Sequence, residues 1–186
     1  MILLSFDTSS KFLSAALYDG PKKLAAHQSE VAMSHAEALA PVLAKLLKKA
    51  GVKPARIGCV AVGIGPGSFT GLRIAVTTAK VLSYTLKTKL VGISSLEAMA
   101  RTAGSDGEYA ALVDAKKSQV YAAVYQRKNK RWKTLRKPGL FLREDVLKSL
   151  KKETQVLEQT VPDACAIAEA ALERIREGKF DDPLTL

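Results

Sequence analysis

Three segments of this chain combine residue types that can do chemistry. The first is Gly63-Ile64-Gly65-Pro66-Gly67-Ser68-Phe69-Thr70-Gly71, glycines and a proline set immediately before a long apolar stretch. A turn of that composition opening a helix can face its amides toward an anion, helped by the helix dipole. It is not a Walker loop, which needs Gly-Lys-Ser/Thr, and it lacks the spaced dinucleotide fingerprint. Both a tight strand-to-helix turn and a phosphate cradle fit it. The second segment is Asp7-Thr8-Ser9-Ser10, which closes the first apolar run and sets a carboxylate among three hydroxyls, where Asp7 reads as a satisfied turn residue. The third runs from Arg127 to Lys137. There Arg127, Lys128, Lys130, Arg131, Lys133, Arg136 and Lys137 put seven positive charges into eleven residues around Trp132. Such cations contact phosphates and an indole can stack on a base. The same run also reads as a solvated hairpin whose Trp packs on a sheet.

Other catalytic chemistries find little support. The two histidines, His27 and His35, stand eight residues apart and form no His-x-x-x-His pair. His35 follows a helix-capping serine, where a surface or capping role is the commoner one. A serine protease would need one of them as its base, and no nucleophile elbow is present. Cys59 and Cys165 lie far apart inside apolar patterns and make no metal-spacing motif. They point to a reduced, cytoplasmic protein.

Composition narrows the class further. Of 186 residues, 47% are apolar, enough to build a core. No run of about 18 apolar residues suggests a membrane span, and Met1 to Asp7 lacks the basic region of a signal peptide. Lys and Arg number 29 against 18 Asp and Glu, a net charge of +11, which favours a polyanion or an acidic protein surface as partner.

The elements that must position these segments follow from spacing. Ile2 to Phe6, Phe12 to Tyr18 and Lys22 to about Gln28 are separated by turn signals and read as an antiparallel meander. Ser34 and Glu37 open a helix on which Leu39, Val42, Leu43, Leu46 and Leu47 recur until Gly51. Pro41 implies a kink or a late start there. Cys59 to Val62 is a strand, and Phe69 to Leu86 is a helix carrying only Arg73 and Lys80 as charges. Gly71, Ala75 and Ala79 form a small-residue stripe that suits tight packing, on the sheet or on another helix. Leu90 to Ile93 is a strand, and Ser94 or Ser95 caps the next helix. Past Gly104-Ser105-Asp106-Gly107, strands at Tyr109 to Val113 and Val120 to Tyr125 flank a turn. Helices follow at Arg143 to Leu150 and Asp163 to Arg176. The fold class is α/β with right-handed crossovers, divided into residues 1–104 and 105–186.

In this order, Asp7-Thr8-Ser9, Ser34-His35-Ala36-Glu37, Gly65-Pro66-Gly67-Ser68-Phe69-Thr70-Gly71-Leu72-Arg73 and Gly92-Ile93-Ser94-Ser95-Leu96 resemble the TsaB (YeaZ) family. Asp114-Ala115-Lys116-Lys117-Ser118-Gln119-Val120-Tyr121 is similar to a further family stretch, with Lys116 where arginine is usual. The likeness covers residues 1 to about 125 and is thin beyond.

The resemblance implies an actin-like, ASKHA (ribonuclease H-like) fold of two subdomains. The second is reduced, since Phe180 to Leu186 looks like a segment that the family continues into a final strand. It implies a non-catalytic subunit that pairs with the related catalytic subunit TsaD, with TsaE joining through the complex, and with itself when alone. That assembly places threonylcarbamoyl on a tRNA adenosine beside the anticodon, so tRNA is a further candidate partner. Ser95 and Met99 stand where TsaD carries its metal-binding histidine pair, which implies no metal and no catalytic residue here. Pairing through the first two helices makes Leu39, Val42, Leu43, Leu46, Arg73, Ala75, Ala79 and Leu82 interface candidates. A residual nucleotide site would use Asp7, Thr8, Gly65 and Gly67, although the second phosphate loop and adenosine loop of an ATPase are not recognisable after residue 109. Arg127, Lys128, Lys130, Arg131, Trp132 and Lys133 are the candidate tRNA contacts. A stand-alone ATPase or kinase of this fold, and a pure tRNA-binding module, are the alternative functions.

Overall fold

The first strand, β1 (Ile2–Asp7), is buried along its whole length, which identifies it as the centre of a sheet covered on both faces. The computed structural model, which describes residues 1–31 and 34–186, surrounds it with β2 (Phe12–Asp19), β3 (Lys22–Glu30), β4 (Ile57–Gly63) and β5 (Lys89–Ile93) in the order β3-β2-β1-β4-β5. The first three strands form the expected antiparallel meander, and β4 and β5 run parallel to β1. Helix α1 (His35–Lys49) leads to β4, and α2 (Phe69–Leu86) makes the crossover from β4 to β5.

Strand periodicity sorts the core. Leu4, Phe6, Val60 and Val62 face α1 and α2, packing with Leu39, Leu43, Leu46, Ala75 and Ala79. Leu3, Cys59 and Ala61 face the opposite side and meet α5 (Ala164–Arg176). The Ser5 hydroxyl donates to the Ala164 carbonyl at 2.7 Å, and the Ala164 N–H donates to Ser14 Oγ at 2.8 Å. The last helix therefore returns from the second half of the chain to complete the core of the first sheet. The tail follows it: Asp181 Oδ2 accepts the Gly92 N–H at 2.7 Å, on the outer strand β5.

After α3 (Ser95–Arg101) the chain builds a second sheet from β6 (Gly107–Lys116), β7 (Gln119–Lys128), β8 (Arg131–Leu142) and β9 (Gln155–Leu157), ordered β8-β7-β6-β9. Leu96, Met99 and Ala100 on α3 pack on one face with Tyr109, Ala111, Ala123 and Tyr125. Val146 on α4 (Arg143–Ser149) packs on the other with Leu112, Val120 and Val124.

Two sequence alternatives narrow. Helix α1 starts at His35, with Ser34 Oγ accepting the Ala36 N–H, so Pro41 lies within it on the exposed side and does not delay it. Ser94 is the N-cap of α3 by position but makes no capping bond, because its hydroxyl and that of Ser95 turn toward the glycine loop instead.

Candidate functional site

The glycine loop between β4 and α2 is fastened to the loop after β1. The Ser68 N–H donates to the Ser9 carbonyl at 2.7 Å, and the Thr8 hydroxyl donates to the Gly71 carbonyl at 2.7 Å. Within the loop, the Ile64 N–H reaches Ile93, and the Gly71 and Leu72 amides reach Ser68. The Ile64, Ser68, Gly71 and Leu72 amides of the loop are thus used inside the protein.

Contact distances explain the glycines. A Cβ at Gly71 would lie 1.8 Å from the Thr8 carbonyl oxygen, and one at Gly67 2.4 Å from that of Ser9. The β1–β2 loop fills the space against both residues, so the glycines serve a backbone-to-backbone approach.

Asp7 closes the junction. It is fully buried, and its Oδ1 accepts the Ser9 N–H and the Ser9 hydroxyl, each at 2.7 Å. The Ser95 hydroxyl donates to Asp7 Oδ2 at 3.2 Å and accepts the Gly65 N–H at 3.2 Å, while the Ser95 N–H donates to the Gly65 carbonyl at 2.7 Å. Burial pushes the Asp7 carboxyl above its usual range, against the opposing pull of the Ser9 and Ser95 bonds. The four nucleotide-site candidates thus meet at one junction, where Asp7 and Gly65 share Ser95, Thr8 holds Gly71 and Gly67 lies against Ser9. Ser95 locks the two loops together, and Met99 lies in the core beneath the second sheet. Among the described residues no cluster of three metal-ligating side chains forms. The nearby cleft between Ser10, Lys11, Pro66, Gly67, Asp114 and Thr160 holds about 270 Å³. Small-ligand pockets usually span roughly 300–1,000 Å³.

The interface candidates divide by burial. Leu39, Leu43, Leu46, Ala75 and Ala79 are core, and Val42 and Leu82 are half-buried against the same cluster, so these seven hold the helices on the sheet. Arg73 is exposed, with its guanidinium 5.2 Å from the Phe69 ring. The apolar surface of α2 lies elsewhere, at Phe69 (73% exposed), Val81 (57%) and Tyr84 (78%). The sequence signal for it was a large apolar residue standing off the Ala75–Ala79 stripe.

The basic candidates also divide. Trp132 is half-buried against the cluster under α3, its ring 6.0 Å from that of Tyr109, with Arg101 and Arg127 lying over it. Arg127 also donates to the Gly104 carbonyl. Both are engaged within the chain. Lys128, Lys130, Arg131 and Lys133 are exposed along the β7–β8 hairpin. Sequence reasoning missed the pairing beneath them: Arg101, nearly buried, holds Glu97 at 2.9 Å and Glu173 at 2.7 Å. Burial pulls the Arg101 pKa down, yet these two carboxylates hold it above the usual arginine value. This ion pair ties α3 to α5.

Comparison with known proteins agrees with the motifs. Residues 26–178 match the family model described as TsaD, tRNA N6-adenosine threonylcarbamoyltransferase. The tRNA threonylcarbamoyladenosine biosynthesis protein TsaB of Bacillus subtilis is 35% identical over 130 residues, covering 69% of this chain and 57% of that protein. TsaB of Buchnera aphidicola (subsp. Schizaphis graminum) is 34% identical over 160 residues, 82% of this chain and 75% of that protein. The chain thus spans little more than half of the first relative's length. YeaZ from Pseudomonas aeruginosa superposes with a TM-score of 0.88 over 99% of this chain and 96% of its own, at 23% identity, so the fold is shared throughout. The two-sheet α/β fold, with the β3-β2-β1-β4-β5 order in its first sheet, is thus that of YeaZ. Motifs, topology and similarity converge, and the chain belongs to the TsaB (YeaZ) family.

Proposed function

We propose that the chain is the non-catalytic subunit of an assembly that transfers threonylcarbamoyl to the tRNA adenosine beside the anticodon, pairing there with a TsaD-type catalytic subunit and, through it, with TsaE. The observation that carries this reading is the closed junction of Asp7, Gly65 and Ser95. Where an enzyme of this fold approaches a phosphate, this chain bonds its polar groups to each other. Membership of the TsaB family supports the pathway.

A subunit without its own chemistry acts through its surface. Phe69, Val81 and Tyr84, with Arg73 among them, give α2 an exposed face that suits an apolar helix of a partner. The same face serves TsaD in the complex and a second copy of the chain when TsaD is absent. A tRNA-modifying role places the protein in the cytoplasm.

Size-exclusion chromatography with TsaD tests the pairing. Val81→Asp with Tyr84→Asp, both on the surface, is expected to abolish the heterodimer while leaving a folded monomer. An unchanged heterodimer moves the contact off α2. Calorimetry with ATP and magnesium is expected to give no heat with the isolated chain, and tight binding would favour the stand-alone ATPase instead.

A further inference from the structure

The tip of the β7–β8 hairpin breaks local rules of strand pairing in favour of positive charge. Lys128 and Arg131 are direct cross-strand partners, and like charges in that position repel. Asn129 and Lys130 form the two-residue turn with φ of 52° and 63°. The second position of such a turn favours glycine, and a lysine there is strained. No acid lies between residues 127 and 137. The acid that touches the tip, Asp106, is engaged in accepting the Asn129 N–H at 2.7 Å. Nearby, Lys116, Lys148 and Lys151 each pair with a carboxylate. Among the described residues Lys128, Lys130, Arg131 and Lys133 have no such pair.

Register then aligns these cations. Lys128 opposes Arg131 and Gln126 opposes Lys133, so Lys128, Arg131 and Lys133 share one face of the hairpin. Strand β8 is the edge of its sheet, so among the described residues no further strand covers it. Arg131 and Lys133 are about 6.6 Å apart along the strand, an interval at which a nucleic-acid strand presents successive phosphates. Rule-breaking without a folding benefit is what a functional surface leaves in a sequence.

We propose that the Lys128–Lys130–Arg131–Lys133 face binds the sugar-phosphate backbone of RNA. Because Trp132 pairs with Arg127 on the opposite face of the hairpin, the strip reads charge and shape and not base identity. The RNA is the tRNA of the proposed function, so the inference rests on that reading for its partner.

Fluorescence-anisotropy titration of the chain against a labelled tRNA transcript, over a series of salt concentrations, tests the strip. The variant K128Q/K130Q/R131Q/K133Q is expected to bind at least about tenfold more weakly at low salt, and to flatten the plot of log affinity against log salt by about 3. A control, K22Q/K23Q/K53Q/R56Q, removes the same charge from exposed positions outside the second sheet and is expected to keep most of both. Equal weakening by the two variants, an unchanged hairpin variant, or no tRNA binding by the wild type overturns the proposal. Threonylcarbamoyl transfer in the same preparations separates the two readings. A chain required for transfer whose tRNA binding ignores the hairpin sinks the strip alone. A chain dispensable for transfer sinks the proposed function, while the binding variants still judge the strip.

Discussion

The glycine-loop junction and the β7–β8 hairpin are opposites in how they treat polar groups. At the junction, the Asp7 carboxylate, the Ser9 and Ser95 hydroxyls and the Gly65 and Ser68 amides all find partners within the chain. Along the hairpin, four exposed cations find no carboxylate among the described residues, and two of them face each other. The motif that most resembles a catalytic site is consumed by folding. The run that most resembles ordinary solvated charge is the one that folding leaves unsatisfied. Motif chemistry is therefore a poorer guide to function here than whether the groups are already paired.

Substitutions can break that contrast, and the largest effects belong to the junction. Gly71→Ala would drive a Cβ against the Thr8 carbonyl, a backbone atom that cannot swing aside. It is expected to cost about 3 kcal/mol or more in chemical denaturation, even though alanine gains about 1 kcal/mol in a helix. A variant as stable as the wild type would mean the two loops are not in contact.

Asp7 sharpens the same point. Asp7→Ala strands the Ser9 and Ser95 donors and is expected to cost about 2 kcal/mol. Asp7→Asn keeps an acceptor for Ser9 and is expected to stay near wild-type stability at neutral pH and to retain function in the complex. Because burial raises the carboxyl pKa in the folded state, its favourable contribution is complete below the ordinary value of 3.8 and is lost as pH rises through the raised folded value. The wild type should therefore gain on Asp7→Asn as pH falls across that window. Denaturation at a series of pH values checks the sign, and a difference that does not change with pH would mean the carboxyl is not shifted.

The hairpin should behave in the reverse way. Neutralising Lys128, Lys130, Arg131 and Lys133 together is expected to leave the melting temperature unchanged or slightly raised, since a repulsive pair is removed. The smallest effect is that of Lys130→Gly. It is expected to stabilise the chain by up to about 1 kcal/mol by relieving a left-handed lysine, while weakening tRNA binding. A gain in stability with no loss of binding would separate the turn strain from any contact with RNA.

Much of the fold could be read from the residues because local signals agreed with the tertiary result. The apolar run Phe69–Leu86 became α2 with those ends, and the turn at Asp19-Gly20 set the β1–β2–β3 meander. Strand β8 was legible only as the solvated hairpin of residues 127–137 whose Trp packs on a sheet, because an edge strand with lysines on its open side shows little apolar alternation over the rest of its length. The three residues of β9 are too few for any period and exist through pairing with β6. The return of α5 to the first sheet depends on long-range contacts that no local pattern reports. Surface residues were the least legible. Helical spacing marked Leu39, Leu43, Leu46, Ala75 and Ala79 as one-sided, but a sheet-facing stripe and a partner-facing stripe have the same period, and here the sheet claimed it.

Reconstitution addresses the central claim most directly: a subunit of this assembly whose enzyme-like junction is structural. Threonylcarbamoyl incorporation into tRNA is measured with TsaD, TsaE and the adenylate-forming enzyme, in the absence of this chain, with the wild type, and with Asp7→Asn. The account predicts incorporation that requires the chain and is retained by Asp7→Asn. Incorporation without the chain, or its loss in a folded Asp7→Asn protein, would contradict it.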